Sequence, residues 1–349
     1  MAAAPPLQSP AFDLVALTKI MSAHGLSTTA ALSLEPLTGG QSNPTYRVRG
    51  AAHPLVLRKK PPGVLLPSAH AVDREFRIMK ALRDTEVPVP KVYFYHGDTS
   101  ITGTPFYIME YLDGRVFLDQ SLPGMTPPER SAIYNEMNRV IAALHRIDHA
   151  RLGLSDFGKA GNYFARQIAR WTRQYNESRL ENIPAMDALI AWLPEHVPDD
   201  EKTSVVHGDF RLDNLVFHPI ESRVIGVLDW ELSTLGHPLA DFSYHCMSWH
   251  IPAELWRGIG GLDLRALGIP EEASYVRRYC AATCTPAIEH WNFYLAYNLF
   301  RISAILQGVA KRASEGSAAA TDALDMGRKA RPLADLGWTF AARYDAERR

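Results

Sequence analysis

The chain has 349 residues with 37 basic and 38 acidic side chains, a formal charge of -1, so no basic excess draws it to nucleic acid or to an anionic membrane. Hydrophobic residues make up 46% and charged residues 21%, the balance of a globular protein with a substantial core rather than of a disordered or fibrous chain. Three cysteines without a paired spacing exclude a disulfide-stapled scaffold and point to a reducing, cytoplasmic setting.

In chain order, residues 1–12 (MAAAPPLQSPAF) lack the basic start and long apolar run of a signal peptide and read as a flexible lead-in. Strand-like runs follow at 45–48, 55–59 and 106–112, separated by Gly, Pro, Asn and Ser clusters, and predict a small, mainly β lobe. One helix interrupts it, with Ser68 as its cap and Val72, Phe76, Met79 and Leu82 at helical spacing. Glu75 lies within that apolar stripe, so its carboxylate faces the interior and calls for a cationic partner. Beyond Asp113-Gly114 the pattern turns helical. Thr126, Pro127 and Glu129 fit the N-cap, N1 and N3 positions of a capping box, and Ile133, Met137, Val140, Ile141 and Leu144 then follow a 3.6-residue period. Two β-branched runs, Val205-Val206 and 224–228, break this helical region, and from Asp241 onward the chain is helical again and rich in aromatics. The stretch 292–309 is interrupted by Asn298, Arg301 and Gln307, so it predicts a buried helix rather than a membrane span.

The chemistry concentrates in HGDFRLDN at 207–214 and in Asp229, fifteen residues after Asn214 at the end of the run VIGVLDW. An aspartate, an asparagine five residues on and a second aspartate after a β-like segment reproduce the spacing of kinase-type phosphoryl transfer. That reaction needs one carboxylate to orient the attacking hydroxyl and accept its proton, and an amide oxygen and a second carboxylate to hold Mg²⁺ against nucleotide phosphates. Asp209 takes the first role, Asn214 and Asp229 the second, and Arg211 can reach the transferred phosphoryl group. Each residue alone is ordinary turn chemistry; the joint spacing is what carries the reading.

Together with the following VLDWELSTLGHPLAD, this motif resembles the aminoglycoside phosphotransferase and choline kinase superfamily, and within it the phosphotransferase domains fused to, or encoded alongside, acyl-CoA dehydrogenases. The resemblance runs from about residue 37 to residue 244. It implies an α+β, protein-kinase-like bilobal fold: a β-rich nucleotide-binding lobe over 1–112, and a mainly helical lobe over 113–349 with the catalytic loop and the acceptor pocket. It also implies that Asp209 is the catalytic aspartate, that Asn214 and Asp229 bind magnesium, that Asp241 supports the catalytic loop and that His207 hydrogen-bonds the loop backbone. In the template's order, LTGGQSNPTYRV brings Gly39, Gly40, Ser42 and Asn43 toward the phosphates. VLRKKP puts Arg58 in place of the usual phosphate-binding lysine, with Lys59 as the alternative, and Glu75 pairs with that cation. YIMEYLDG brings the backbone near Glu110 and Leu112 to adenine, with Met109 lining the pocket. The implied cofactors are ATP and Mg²⁺.

Only eleven residues separate Asp229 from Asp241 and no APE sequence follows, which leaves no room for a protein-kinase activation segment. The expected acceptor is therefore the hydroxyl of a small molecule, in a pocket built by the flanking helices. Trp249, Trp256, Tyr275, Tyr279, Trp291, Tyr294 and Tyr297 concentrate there, most of them as core. From 246 to 312 there are five acidic and seven basic residues, which does not suit a polycationic aminoglycoside. The resemblance implies instead a hydroxy-acyl compound, free or as its CoA thioester, and association with an acyl-CoA dehydrogenase. Two alternatives are a nucleotide-binding pseudokinase scaffold for a partner dehydrogenase and an aminoglycoside O-phosphotransferase. Cys280, Cys284 and His145 read as packed residues rather than ligands or catalysts.

Overall fold

A computed structural model describes residues 12–37, 43–62, 70–315 and 323–348. The chain divides into two compact units, one formed by Met1–Asp84, Val89–Asp113 and Asp229–Glu231, the other by the remainder.

The first unit holds α1 (Leu14–Ala23), β1 (Thr28–Pro36), β2 (Thr45–Ala51), β3 (Leu55–Lys59), α2 (Val72–Leu82), β4 (Val92–His96) and β5 (Phe106–Glu110). Its strands form one antiparallel sheet in the order β1-β2-β3-β5-β4. Val48, Leu55, Leu57, Phe94, Phe106 and Ile108 from the sheet pack with Leu17 and Met21 of α1 into one apolar core. The lead-in expected over 1–12 lies, up to residue 11, outside the described residues; α1 follows, and the Asp13 carboxylate accepts the Ala16 amide at 2.8 Å and caps it. β1 escapes sequence reading because only Leu32 along it is buried, so it lacks the alternation that marks a half-buried strand. α2 begins at Val72 after Ala71, with no side-chain cap; the expected cap, Ser68, lies outside the described residues. Asp73 and Glu75 in its first turn suit the helix dipole there.

The second unit is mainly helical, with α3 (Pro127–His145), α4 (Tyr163–Ser178) and α5 (Pro184–Glu195) preceding four short strands. These are β6 (Ser204–Val206), β7 (Leu215–Phe217), β8 (Val224–Val227) and β9 (Thr234–Gly236), paired antiparallel as β6 with β9 and β7 with β8. Then come α6 (Pro238–Cys246), α7 (Leu264–Leu267), α8 (Glu272–Thr283), α9 (Trp291–Ser314), α10 (Ala323–Arg328) and α11 (Ala330–Glu347). α3 starts at the expected capping box, with the Thr126 amide donating to Glu129 Oε2 at 2.7 Å. α9 is buried along most of its length. Of its polar interruptions, Asn298 Nδ2 donates to Ser243 Oγ at 2.7 Å and to the Ala240 carbonyl at 3.0 Å, while Asn298 Oδ1 and Gln307 Oε1 are buried without a hydrogen-bond partner among the described residues. Among the described residues no helix is long and apolar enough to cross a membrane.

Candidate active site

The predicted loop HGDFRLDN leaves β6 and closes with a 3-10 turn, Leu212–Asn214, into β7. Pairing of β6 with β9 brings the first turn of α6, and Asp241 with it, under this loop. Asp241 Oδ2 accepts the His207 amide at 2.7 Å and Oδ1 the Gly208 amide at 2.9 Å, so one buried carboxylate fixes two consecutive peptide planes. Burial raises the Asp241 carboxyl, but the hydrogen bond and charge of His145 and the neighbouring His207 leave it below the usual carboxylate range. His145 Nε2 stands 3.3 Å from Asp241 Oδ2 and its Nδ1 2.7 Å from the Tyr279 hydroxyl. This histidine is therefore part of the loop's support, a role its place at a helix end did not reveal. Gly208 takes φ +83°, and a Cβ there would stand 2.7 Å from the Leu232 carbonyl, so only glycine fits.

His207 Nδ1 accepts the Asp209 amide at 3.2 Å, which leaves Nε2 to donate to the Leu228 carbonyl at 2.9 Å. The imidazole thus braces the loop backbone, as its resemblance to the family implied. Asp209 is held at both oxygens: Tyr244 donates to Oδ1 at 2.5 Å and Asn214 Nδ2 to Oδ2 at 3.1 Å. Asn214 Nδ2 also reaches the Asp209 carbonyl at 2.9 Å, so its own amide oxygen is the atom left for a cation. The Leu228 amide donates to the Asn214 carbonyl at 2.8 Å, and Asp229 is the next residue in the chain. Arg211 Nε lies 3.1 Å from Asp209 Oδ2 and 3.3 Å from Asp213 Oδ1.

Behind this loop α9 supplies Arg301, a buried guanidinium that donates to the Gly208 carbonyl at 2.5 Å. It lies 4.9 Å from the Tyr244 ring centroid and 5.6 Å from that of Trp171. Burial raises the Tyr244 phenol, so it acts as a neutral donor. A recess beside Tyr244 is lined also by Gln120, Arg211, His245, Met247, Ser248, Ile251, Trp256 and Arg257. Of the seven aromatics expected near an acceptor, Trp256 alone is among its lining residues, whereas Tyr275, Tyr279, Tyr294 and Tyr297 are core.

In the first unit, strand alternation sorts the two basic residues of β3. Lys59 shares a face with Leu55 and Leu57, donates to the Thr102 carbonyl and lies over the Phe12 ring. Arg58 points the other way and binds Glu75 Oε2 through Nε at 2.7 Å. Its Nη2 is 2.6 Å from Asp229 Oδ1. Burial opposes the Arg58 charge, but Glu75 and Asp229 beside it raise its pKa overall. Burial pushes the Glu75 carboxyl up, opposed by Arg58 and by the Tyr107 hydroxyl that donates to it at 2.9 Å. Asn43 is fully buried, with Nδ2 donating to Glu75 Oε1 at 2.5 Å and Oδ1 3.1 Å from His70 Nδ1. Its side chain thus holds Glu75. Gly39, Gly40 and Ser42 lie outside the described residues. Asp229 itself sits at φ +66°, a left-handed conformation that costs a non-glycine residue about 1 kcal/mol or more. At the end of β5 Met109 is buried, and the Glu110 amide donates to the Lys91 carbonyl at 2.8 Å. Leu112 follows just past the strand, half-buried. Among the described residues no group of three or more His, Cys, Asp or Glu could hold a metal ion.

The profile of the phosphotransferase enzyme family (APH) matches residues 33–294. The chain is 50% identical to mouse acyl-CoA dehydrogenase family member 10 over 321 residues, 91% of this chain and 30% of that protein. It is 42% identical to rat acyl-CoA dehydrogenase family member 11, over 95% of this chain and 44% of that protein. It therefore spans less than half the length of these relatives. A crystal structure from Ralstonia eutropha, provisionally described as an aminoglycoside phosphotransferase, superposes with a TM-score of 0.87 at 54% identity and covers 95% of this chain and 99% of its own. The ternary complex of aminoglycoside phosphotransferase APH(4)-Ia with ADP and hygromycin B matches at TM-score 0.61 and 17% identity, covering 93% of this chain and 98% of that one, a likeness of fold. The β-sheet unit and the helical unit carry the protein-kinase-like fold of these enzymes, and the chain belongs to the phosphotransferase enzyme family.

Proposed function

We propose that this chain is a cytoplasmic, ATP- and Mg²⁺-dependent kinase that transfers the γ-phosphoryl group to a hydroxyl of a small molecule. The observation that carries the reading is Asp209, fixed at both oxygens on a loop whose backbone is itself clamped by Asp241. A carboxylate so held orients an acceptor hydroxyl and takes its proton as the bond to phosphorus forms. Arg211 beside it neutralises charge developing on the transferred group.

The donor set suits magnesium: a carboxylate from Asp229 and an amide oxygen from Asn214 are hard ligands, too few for an all-protein cage and appropriate to an ion that completes its shell with phosphates and water. When bound, Mg²⁺ supplies charge neutralisation at the nucleotide phosphates. Arg58, oriented by Glu75, is the cation assigned to those phosphates, with Lys59 serving the sheet core. The backbone of Gly39, Gly40 and Ser42 is assigned to the phosphates as well. The Glu110 carbonyl and Leu112 amide are assigned to the base, beside Met109, and Asn43 acts through Glu75.

Two arginines and no carboxylate line the recess beside Tyr244, which disfavours a polycationic aminoglycoside and supports a neutral or acidic hydroxyl compound. The relatives named as acyl-CoA dehydrogenase family members support a hydroxy-acyl acceptor, free or as a CoA thioester, and association with such a dehydrogenase. Incubating γ-labelled ATP with a metabolite extract tests the activity. Wild type is expected to yield a labelled product that Asp209→Asn fails to make, with a rate loss of about 10²-fold or more and Mg-nucleotide binding retained. Equal labelling by both proteins would reject Asp209 as the essential group. No labelling by either would favour a nucleotide-binding scaffold without turnover.

A further inference from the structure

Within the helical unit, the recess beside Tyr244 joins two guanidiniums, Arg211 and Arg257, to the apolar side chains of Met247, Ile251 and Trp256. His245 adds no charge to it, because burial lowers its pKa to about 4 and its Nε2 is 2.8 Å from the Tyr275 hydroxyl. Arg257 sits at φ +48°, a conformation costing a long side chain about 1–2 kcal/mol. The loop that imposes it is tightly packed: a Cβ on Gly258 would stand 1.9 Å from the Ile251 carbonyl. The Ile259 and Gly260 amides pair with the Ser248 and Ile251 carbonyls, each at 2.8 Å. The strain delivers the Arg257 guanidinium to Asp213 on the catalytic loop. Asp213 is one carboxylate facing two cations, Arg257 at Oδ2 and Arg211 at 3.3 Å from Oδ1. Its side chain is 10% exposed, while that of Arg257 remains 35% exposed. A cation that shares its carboxylate with a second arginine and still opens to the recess has the means to take another oxyanion.

We propose that Arg257 anchors an acidic group on the acceptor. The ligand is a hydroxyl compound bearing a carboxylate or phosphate. This rests on reading the recess as the acceptor site. Three probes differing only in the acidic group test it: 3-hydroxybutyrate, its methyl ester and 3-hydroxybutyl phosphate. Their equilibrium binding to wild type, Arg257→Gln and Arg257→Lys is followed by ligand-observed NMR, without turnover. Wild type is expected to bind at least one anion roughly tenfold or more tighter than the ester, and the tighter anion names the source of the charge. In Arg257→Gln the anions fall to the level of the ester while ester binding is unchanged, and Arg257→Lys lies between. Equal binding of ester and anions to wild type, no binding of any probe, or an Arg257→Gln variant that weakens ester and anion alike would overturn the proposal, the last by reducing Arg257 to a clamp on Asp213. Mg-AMP-PNP binding measured on the same samples separates the two claims. Loss of nucleotide binding with the anion preference intact sinks the kinase reading alone, and the converse sinks only the anchor.

Discussion

In the proposed reaction, the carboxylate that takes the proton contributes more by its position than by its basicity, so the groups that hold it matter as much as the carboxylate. For Asp209 the tightest of these is the Tyr244 hydroxyl at 2.5 Å, and Tyr244 is itself fixed by the Arg301 guanidinium over its ring. Arg301 grips the Gly208 carbonyl as well, so one buried cation fixes the loop from its backbone and through a side chain. Tyr244→Phe keeps the ring and the cation over it but removes the donor. One lost hydrogen bond to a charged group is worth about 1.5 kcal/mol or more, so kcat is expected to fall roughly tenfold. KM for ATP and the thermal midpoint should stay near their wild-type values. Steady-state kinetics beside a melting curve checks this, and a change in KM alone would place Tyr244 in binding rather than in the positioning of Asp209.

The same reasoning applies to the joint between β3 and α2. Glu75 is 1% exposed and receives Arg58, Asn43 and Tyr107, so removing the cation leaves a buried charge with neutral donors only. Arg58→Met is expected to cost about 3–5 kcal/mol in urea unfolding. Adding Glu75→Leu should recover more than half of that, because a buried ion pair replaced as a unit by apolar side chains is close to neutral. Losses that simply add in the double variant would show that the two side chains do not act as a pair. This pair, the loop HGDFRLDN and the capping box of α3 were legible in the sequence because each rests on residue types that local structure brings together: a helix stripe, a single hairpin, one helical turn. Tyr244 and Arg301 were not, since 35 residues separate Tyr244 from Asp209 and 93 separate Arg301 from Gly208. An aromatic and a basic residue on helices carry no mark of the loop they support. The preference for Arg58 over Lys59 came from the family resemblance, because alternation along β3 alone does not supply the side of the sheet on which α2 packs. The recess-lining residues Gln120, Met247, Ile251 and Arg257 come from separate loops and helices and had no sequence signal beyond the local excess of basic residues.

On the scale of the molecule, the helical unit buries His237 and His245 among its imidazoles near the loop HGDFRLDN. His237 caps α6 by accepting the Leu239 amide at 3.2 Å, and His245 meets Tyr275. Burial lowers each to about 4, below the value near 6.5 that a histidine has in the unfolded chain. Above pH 6.5 both states are neutral and the two residues have no effect on the pH dependence. As pH falls below 6.5 the unfolded chain gains protons that the folded protein refuses, so stability declines until the folded imidazoles titrate near pH 4. Each histidine contributes a slope of up to about 1.4 kcal/mol per pH unit in that window. Asp241 acts in a lower range: its carboxyl is depressed, so the stability it adds is present above the ordinary carboxylate pKa and is lost only as pH falls through its folded value. Urea unfolding at pH 7.5 and pH 5.0 is therefore expected to show a marked loss at the lower pH, before any contribution from Asp241. His245→Gln, which keeps a hydrogen-bonding partner for Tyr275 but cannot take up a proton, should remove about half of that loss. An unchanged difference between the two pH values would mean that His245 protonates in place, with its charge accommodated beside Tyr275 and Trp249 rather than excluded by them.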